Sequence, residues 1–183
     1  MYKPSTFGYA HVYSSLQLVD SHLTRPGATD KEQQMPEIEY VVNADHAEAI
    51  NGKLYLHGAG WTDLQQAIGP TGQPAISHLG IAVSILIGWN ETNRRFPLTV
   101  TLTHEDGAEI ARVDAQIEAG RPPGVPGGSD FRSVLAIGAD IQFPTTGSYR
   151  LSAELNGQTK TVTFRVHRAT QATGPTMRPP AAA

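Results

Sequence analysis

Between Glu37 and Val166 the chain falls into short runs in which apolar and polar residues alternate, and Tyr149 to Val166 is the most regular of them. Two alternating runs flank Asn156-Gly157, a dipeptide suited to a two-residue type I′ turn because both residues tolerate positive φ. That turn sets the register. Leu155 should face Gln158, Ala153 Lys160, Leu151 Val162 and Tyr149 Phe164, so that apolar partners share one surface toward the open end. Ser152 with Thr161 and Arg150 with Thr163 then occupy the other surface, as a half-buried antiparallel pair requires.

The same signals recur upstream. Glu37 to Ala44 reads as a strand, and a further run ends at Asn51-Gly52 before Lys53 to His57 returns as a second hairpin. Ile76 to Trp89 places Leu79, Ile81, Val83, Ile85, Ile87 and Trp89 on one side, with Gly80, Ala82, Ser84 and Gly88 on most of the other. Such a strand is approached closely on both faces. A third hairpin has Asp106-Gly107 at its tip, pairing Leu102 with Ala111, Val100 with Val113 and Leu98 with Ala115. Alternation from Ser133 to Phe143 adds another strand before Pro144. Asp63 to Pro74 and Gly120 to Asp130 read as long loops, the first with room for a helical turn over Asp63 to Ile68. These spacings predict an all-β fold, an antiparallel β-sandwich of about eight strands, immunoglobulin-like in the broad sense. Gly147-Ser148-Tyr149 is similar to the approach to the penultimate strand of such sandwiches, where a tyrosine hydroxyl pins a corner.

A chain of 183 residues suits one domain with a sizeable core. Residues 1–34 lack a recurring apolar pattern beyond Val12, Leu16, Leu18 and Val19, and are expected to be a mobile extension. Met35 marks the expected physical start of a sandwich domain over residues 35–168, and the proline- and alanine-rich residues 169–183 an expected disordered tail. The content of 18 Gly and 13 Pro, with 17% charged residues, fits strands joined by tight turns. A net charge of −3 argues against nucleic acid and anionic membranes as partners. No cysteine is present, which removes disulfides, thiolate chemistry and iron–sulfur clusters. No apolar run reaches the roughly 18 residues of a spanning helix, so membrane insertion is not expected, and a cytoplasmic location is the simplest reading.

Asn43-Ala44-Asp45-His46-Ala47-Glu48, then Asn51-Gly52-Lys53-Leu54-Tyr55-Leu56-His57 and Gly58-Ala59-Gly60-Trp61, resemble an uncharacterised, mostly actinobacterial family of small all-β domains of unknown function. Leu79 to Val83, Trp89 to Thr92, Gly120 to Gly124 and the Gly147-x-Tyr149 hairpin resemble it too. The similarity spans about Met35 to Val166. It implies a domain boundary and a fold, and no catalytic residue.

Candidate chemistry is sparse. With Asn51-Gly52 at the tip, His46 falls opposite His57 and Glu48 beside Tyr55 on one face, close enough to share a zinc-like ion. The plainer reading is a solvated face decorated by histidines. The Gly120 to Asp130 loop carries Arg121 and Arg132 at its shoulders and the accessible pair Ser129-Asp130, which could present groups to a partner or an anion. Trp61 and Trp89 could form an aromatic platform, although strand-end tryptophans more often close a core rim. Ser84, flanked by apolar residues, suits a tight sheet face better than a nucleophile. No catalytic residue and no cofactor are assigned. The favoured expectation is a non-catalytic binding or structural module for an unknown protein partner. The alternatives are a metal- or small-ligand-binding protein or enzyme built around His46, Glu48 and His57, and a homo-oligomeric, phage-like or shell subunit joined through edge strands.

Overall fold

The computed structural model describes residues 13–17, 36–121, 123–124 and 126–169. Asn156 and Gly157 take φ of 50° and 73°, as the type I′ corner demands. The strands on either side, β10 (Gly147–Leu155) and β11 (Gln158–Arg168), pair in the register expected from the turn, with Tyr149 opposite Phe164 and Leu151 opposite Val162. The hairpin of β7 (Arg95–His104) and β8 (Glu109–Glu118) likewise pairs Val100 with Val113 and Leu98 with Ala115. A bulge between Leu102 and Thr103 absorbs the longer loop around Asp106-Gly107.

The remaining strands are β1 (Tyr13–Gln17), β2 (Glu37–Ala44), β3 (His46–Ile50), β4 (Lys53–His57), β5 (Asp63–Gln66), β6 (Ser77–Ile87) and β9 (Phe131–Ile141). One sheet runs β1-β9-β6-β2 and the other β5-β11-β10-β7-β8, while β3 and β4 pair only with each other. The two larger sheets form the sandwich. Leu79, Ile81, Val83, Ile85 and Ile87 of β6 and Leu135 and Ile137 of β9 meet Leu98, Leu102, Leu151, Leu155, Tyr149 and Phe164 of the opposite sheet in one core. Each buried aliphatic side chain contributes about 2 kcal/mol by leaving water. Among the described residues no helix is long and apolar enough to cross a membrane.

The third layer explains the small residues of β6. Ala47 and Ala49 of β3, backed by Leu54 and Leu56 of β4, rest on Val134 and Ala136 of β9. A Cβ built on Gly80 would lie 2.8 Å from the Ala47 nitrogen and 2.8 Å from the His46 carbonyl carbon, so the hairpin backbone crosses β6 where the side chain is missing. Strand β6 is thus approached on both faces, as its sequence implies.

Three findings differ from the expectations. Asp63–Gln66 is a short parallel edge strand on β11, with no helical turn at Asp63 to Ile68; the backbone bonds Arg165 N to Thr62 O and Ala169 N to Gln66 O extend the pairing. Tertiary pairing overrides weak local propensity there. Tyr13–Gln17, inside the expected mobile extension, pairs antiparallel with β9, so the sheet begins upstream of Met35; the rest of residues 1–34 and residues 170–183 lie outside the described residues. Strands β1 and β5 are the additions that take the described strands beyond the expected count of about eight.

Candidate functional site

The Asn51-Gly52 corner, at φ of 49° and 76°, imposes the β3–β4 register: His46 opposite His57, Glu48 opposite Tyr55, Ile50 opposite Lys53. Because Ala47, Ala49, Leu54 and Leu56 are spent on the sheet below, this second set of side chains faces away from the sandwich. All six are exposed, Ile50 by 46% and Tyr55 by 47%.

At the open end of the hairpin a third imidazole joins the pair. His78 shares the outer face of β6 with Gly80, and its ring lies 6.0 Å from that of His46, at 30° between planes. His46 and His57 are 6.1 Å apart at 47°. Each of two rings has a carboxylate: Glu48 Oε1 stands 3.0 Å from His46 Nε2, and Asp140 Oδ1 2.8 Å from His78 Nδ1. Asp140 is the residue of β9 directly opposite His78. As the side chains stand, no three His, Asp or Glu groups among the described residues are arranged to hold a metal ion. Pattern analysis overlooked His78, although it has the same parity as Gly80, Ala82 and Ser84, the face that the small residues mark as covered.

The other candidates are scattered. Arg121 lies 4.5 Å over the Trp89 ring and donates from Nε to Thr92 Oγ1 at 3.1 Å, fastening the loop start to the 3-10 turn Trp89–Glu91. Arg132 grips Glu39 through both carboxylate oxygens, at 2.6 and 2.8 Å, and Ser84 donates to the same Glu39 at 2.7 Å. Glu39 sits at the bulge in β2, which brings its carboxyl over both donors. The Arg132 hydrogen bond leads in holding the Glu39 pKa below its usual value. Ser84 is therefore a structural donor. Ser129 bonds through its backbone N–H to Pro126 O, and Asp130 is exposed. Pro122 and Val125 of this loop lie outside the described residues. Trp61 packs edge-on against Phe164, ring centroids 4.8 Å apart, and its carbonyl accepts from Asn43 near the start of β6. Trp89 lies beyond the other end of β6, so the two tryptophans form no shared platform.

One further cluster escaped the pattern. His104 sits against the Tyr149 ring at 4.9 Å, with Nδ1 2.9 Å from Asp106 Oδ1 and Nε2 3.4 Å from Thr146 O. Hydrogen bonding to Asp106 leads in raising its pKa above the ordinary value. The Asp106 carboxylate favours the protonated ring, and Nδ1 also faces the Asp106 N–H at 3.4 Å, so these contacts make His104 a clamp for the corner. A shallow cavity of about 210 Å³ beside it is lined by residues that include Glu105, Ser148 and Arg150.

No curated protein is detectably similar to the chain. A family model described as a family of unknown function (DUF6941) matches residues 39–167, a span that runs from β2 through both sheets and the β3–β4 layer to β11. With most of its length inside that match, the chain belongs to this family of unknown function, DUF6941.

Proposed function

We propose that the protein is a non-catalytic binding module whose contact surface is the outward face of the β3–β4 hairpin. The observation that carries this reading is the exposure of Ile50 and Tyr55 on an element that adds little core of its own. An isolated two-stranded hairpin is marginal in water, and this one is anchored mainly through four alanine and leucine side chains. What the anchoring achieves is a fixed surface, with two apolar groups bordered by His46, Glu48, Lys53 and His57. A mixture of apolar and polar groups of this kind is what protein interfaces carry. A chain without cysteine fits a reduced, cytoplasmic setting for that contact.

A photo-crosslinking residue placed at Tyr55, and as a comparison at Thr161 on the wet face of the five-stranded sheet, tests the proposal in the native host cell. Position 55 should yield a discrete adduct that Ile50→Asp abolishes, while position 161 yields none. An adduct of twice the chain's mass would identify the partner as a second copy, the shell-like alternative. Equal labelling from both positions, or none from position 55, would overturn the proposal.

A further inference from the structure

We propose that His46, His57 and His78 form a binding site for a divalent transition-metal ion of the zinc or nickel type. Imidazole is the preferred nitrogen ligand for these ions, and here the rings of His57 on β4 and His78 on β6 each lie about 6 Å from that of His46 on β3. At Zn–N distances of about 2.0–2.1 Å, the ring centroids of two histidines on one tetrahedral ion lie about 5 Å apart. The two separations from His46 are 6.1 and 6.0 Å, so each ring has only about 1 Å to close. Side-chain rotation can supply that movement. The His46 and His78 side chains are 47% and 45% exposed, and neither is locked in the core.

The backbone beneath the rings is already fixed. Direct pairing sets His46 against His57, and the crossing at Gly80 holds the His46 end of β3 over β6, two residues from His78. A supporting carboxylate in a metal site takes one ring nitrogen and leaves the other for the ion. Asp140 accepts from Nδ1 of His78 and leaves Nε2, while Glu48 Oε1 stands 3.0 Å from Nε2 of His46. Both also add negative charge near the cation.

The test uses the full, untagged chain, since a polyhistidine tag would mask the site. Calorimetric titration with Zn²⁺ should show one ion per chain, and Co²⁺ should develop the visible absorption of a low-coordinate nitrogen site. His57→Ala and His78→Ala should each weaken Zn²⁺ binding by at least about tenfold, and Asp140→Asn by about tenfold, the usual effect of losing a supporting carboxylate. Circular dichroism of the variants should match the parent because the substituted side chains are exposed. Absence of Zn²⁺ binding would overturn the proposal. So would His78→Ala binding as the parent does, which would place the ion on other surface histidines. The crosslinking outcome at Tyr55 is independent of this result, so the two readings can fail separately.

Discussion

Tyr149 is 1% exposed, yet its hydroxyl is satisfied: it donates to Thr145 O at 2.7 Å, four residues upstream. A buried phenol needs such a partner, and the corner formed here is the one its Gly147-Ser148-Tyr149 context suggests. His104 covers the same corner. Its pKa is raised, led by the Asp106 hydrogen bond, so the folded state binds the proton more tightly than the unfolded chain does. The stability this contributes is fully present below the ordinary value of about 6.5 and is lost as pH rises through the raised one. An NMR titration should find the His104 ring changing charge above that ordinary value, and Asp106→Asn should move it back down. A ring titrating at or below the ordinary value in the parent protein would contradict the clamp. Nothing in the alternation around residues 98–115 announces the contact of His104 with Tyr149, because it depends on β7 pairing with a strand more than forty residues away.

The third layer belongs to the scale of elements. Its approach to β6 is set by Gly80, where a Cβ would meet backbone atoms at 2.8 Å that cannot swing aside. Gly80→Ala should therefore push the hairpin off β6 and cost about 1–3 kcal/mol, as overpacking does. Gly138→Ala, on the neighbouring strand, is the comparison: its Cβ would meet only the exposed His78 ring, at 3.3 Å, which can turn away. Urea denaturation of both variants measures the difference, and equal midpoints would show that the hairpin does not rest on β6 as described. Element by element, the hairpins were legible because turn residues and alternation are local and must agree. Strand β5 was not. Asp63-Leu64-Gln65-Gln66 has little strand propensity, and only the free edge of β11, reached by a parallel connection, makes it one.

Across the whole molecule the layers should differ in local stability. The sandwich core joins both large sheets, whereas the β3–β4 hairpin rests on a cluster of small side chains over β9 and β6. Amide exchange should therefore be faster in β3 and β4 than in β6, β9 and β10, the hairpin opening while the sandwich stays closed. Protection of the hairpin equal to that of β6 would mean that all three layers unfold as one unit.

By itself the sequence determined the strands of the sandwich other than β1 and β5, the tight turns and the registers of the three hairpins, including His46 opposite His57 and Tyr149 opposite Phe164. These follow from side chains alternating with period two and from glycine and asparagine accepting positive φ, both properties of neighbouring residues. Only the tertiary structure decided which strands share a sheet, that β3–β4 would lie across β6 as a separate layer, and that His78 would stand beside His46. Those relations join segments about thirty residues apart or more, and they are settled by which faces can bury each other, a choice that local periodicity leaves open.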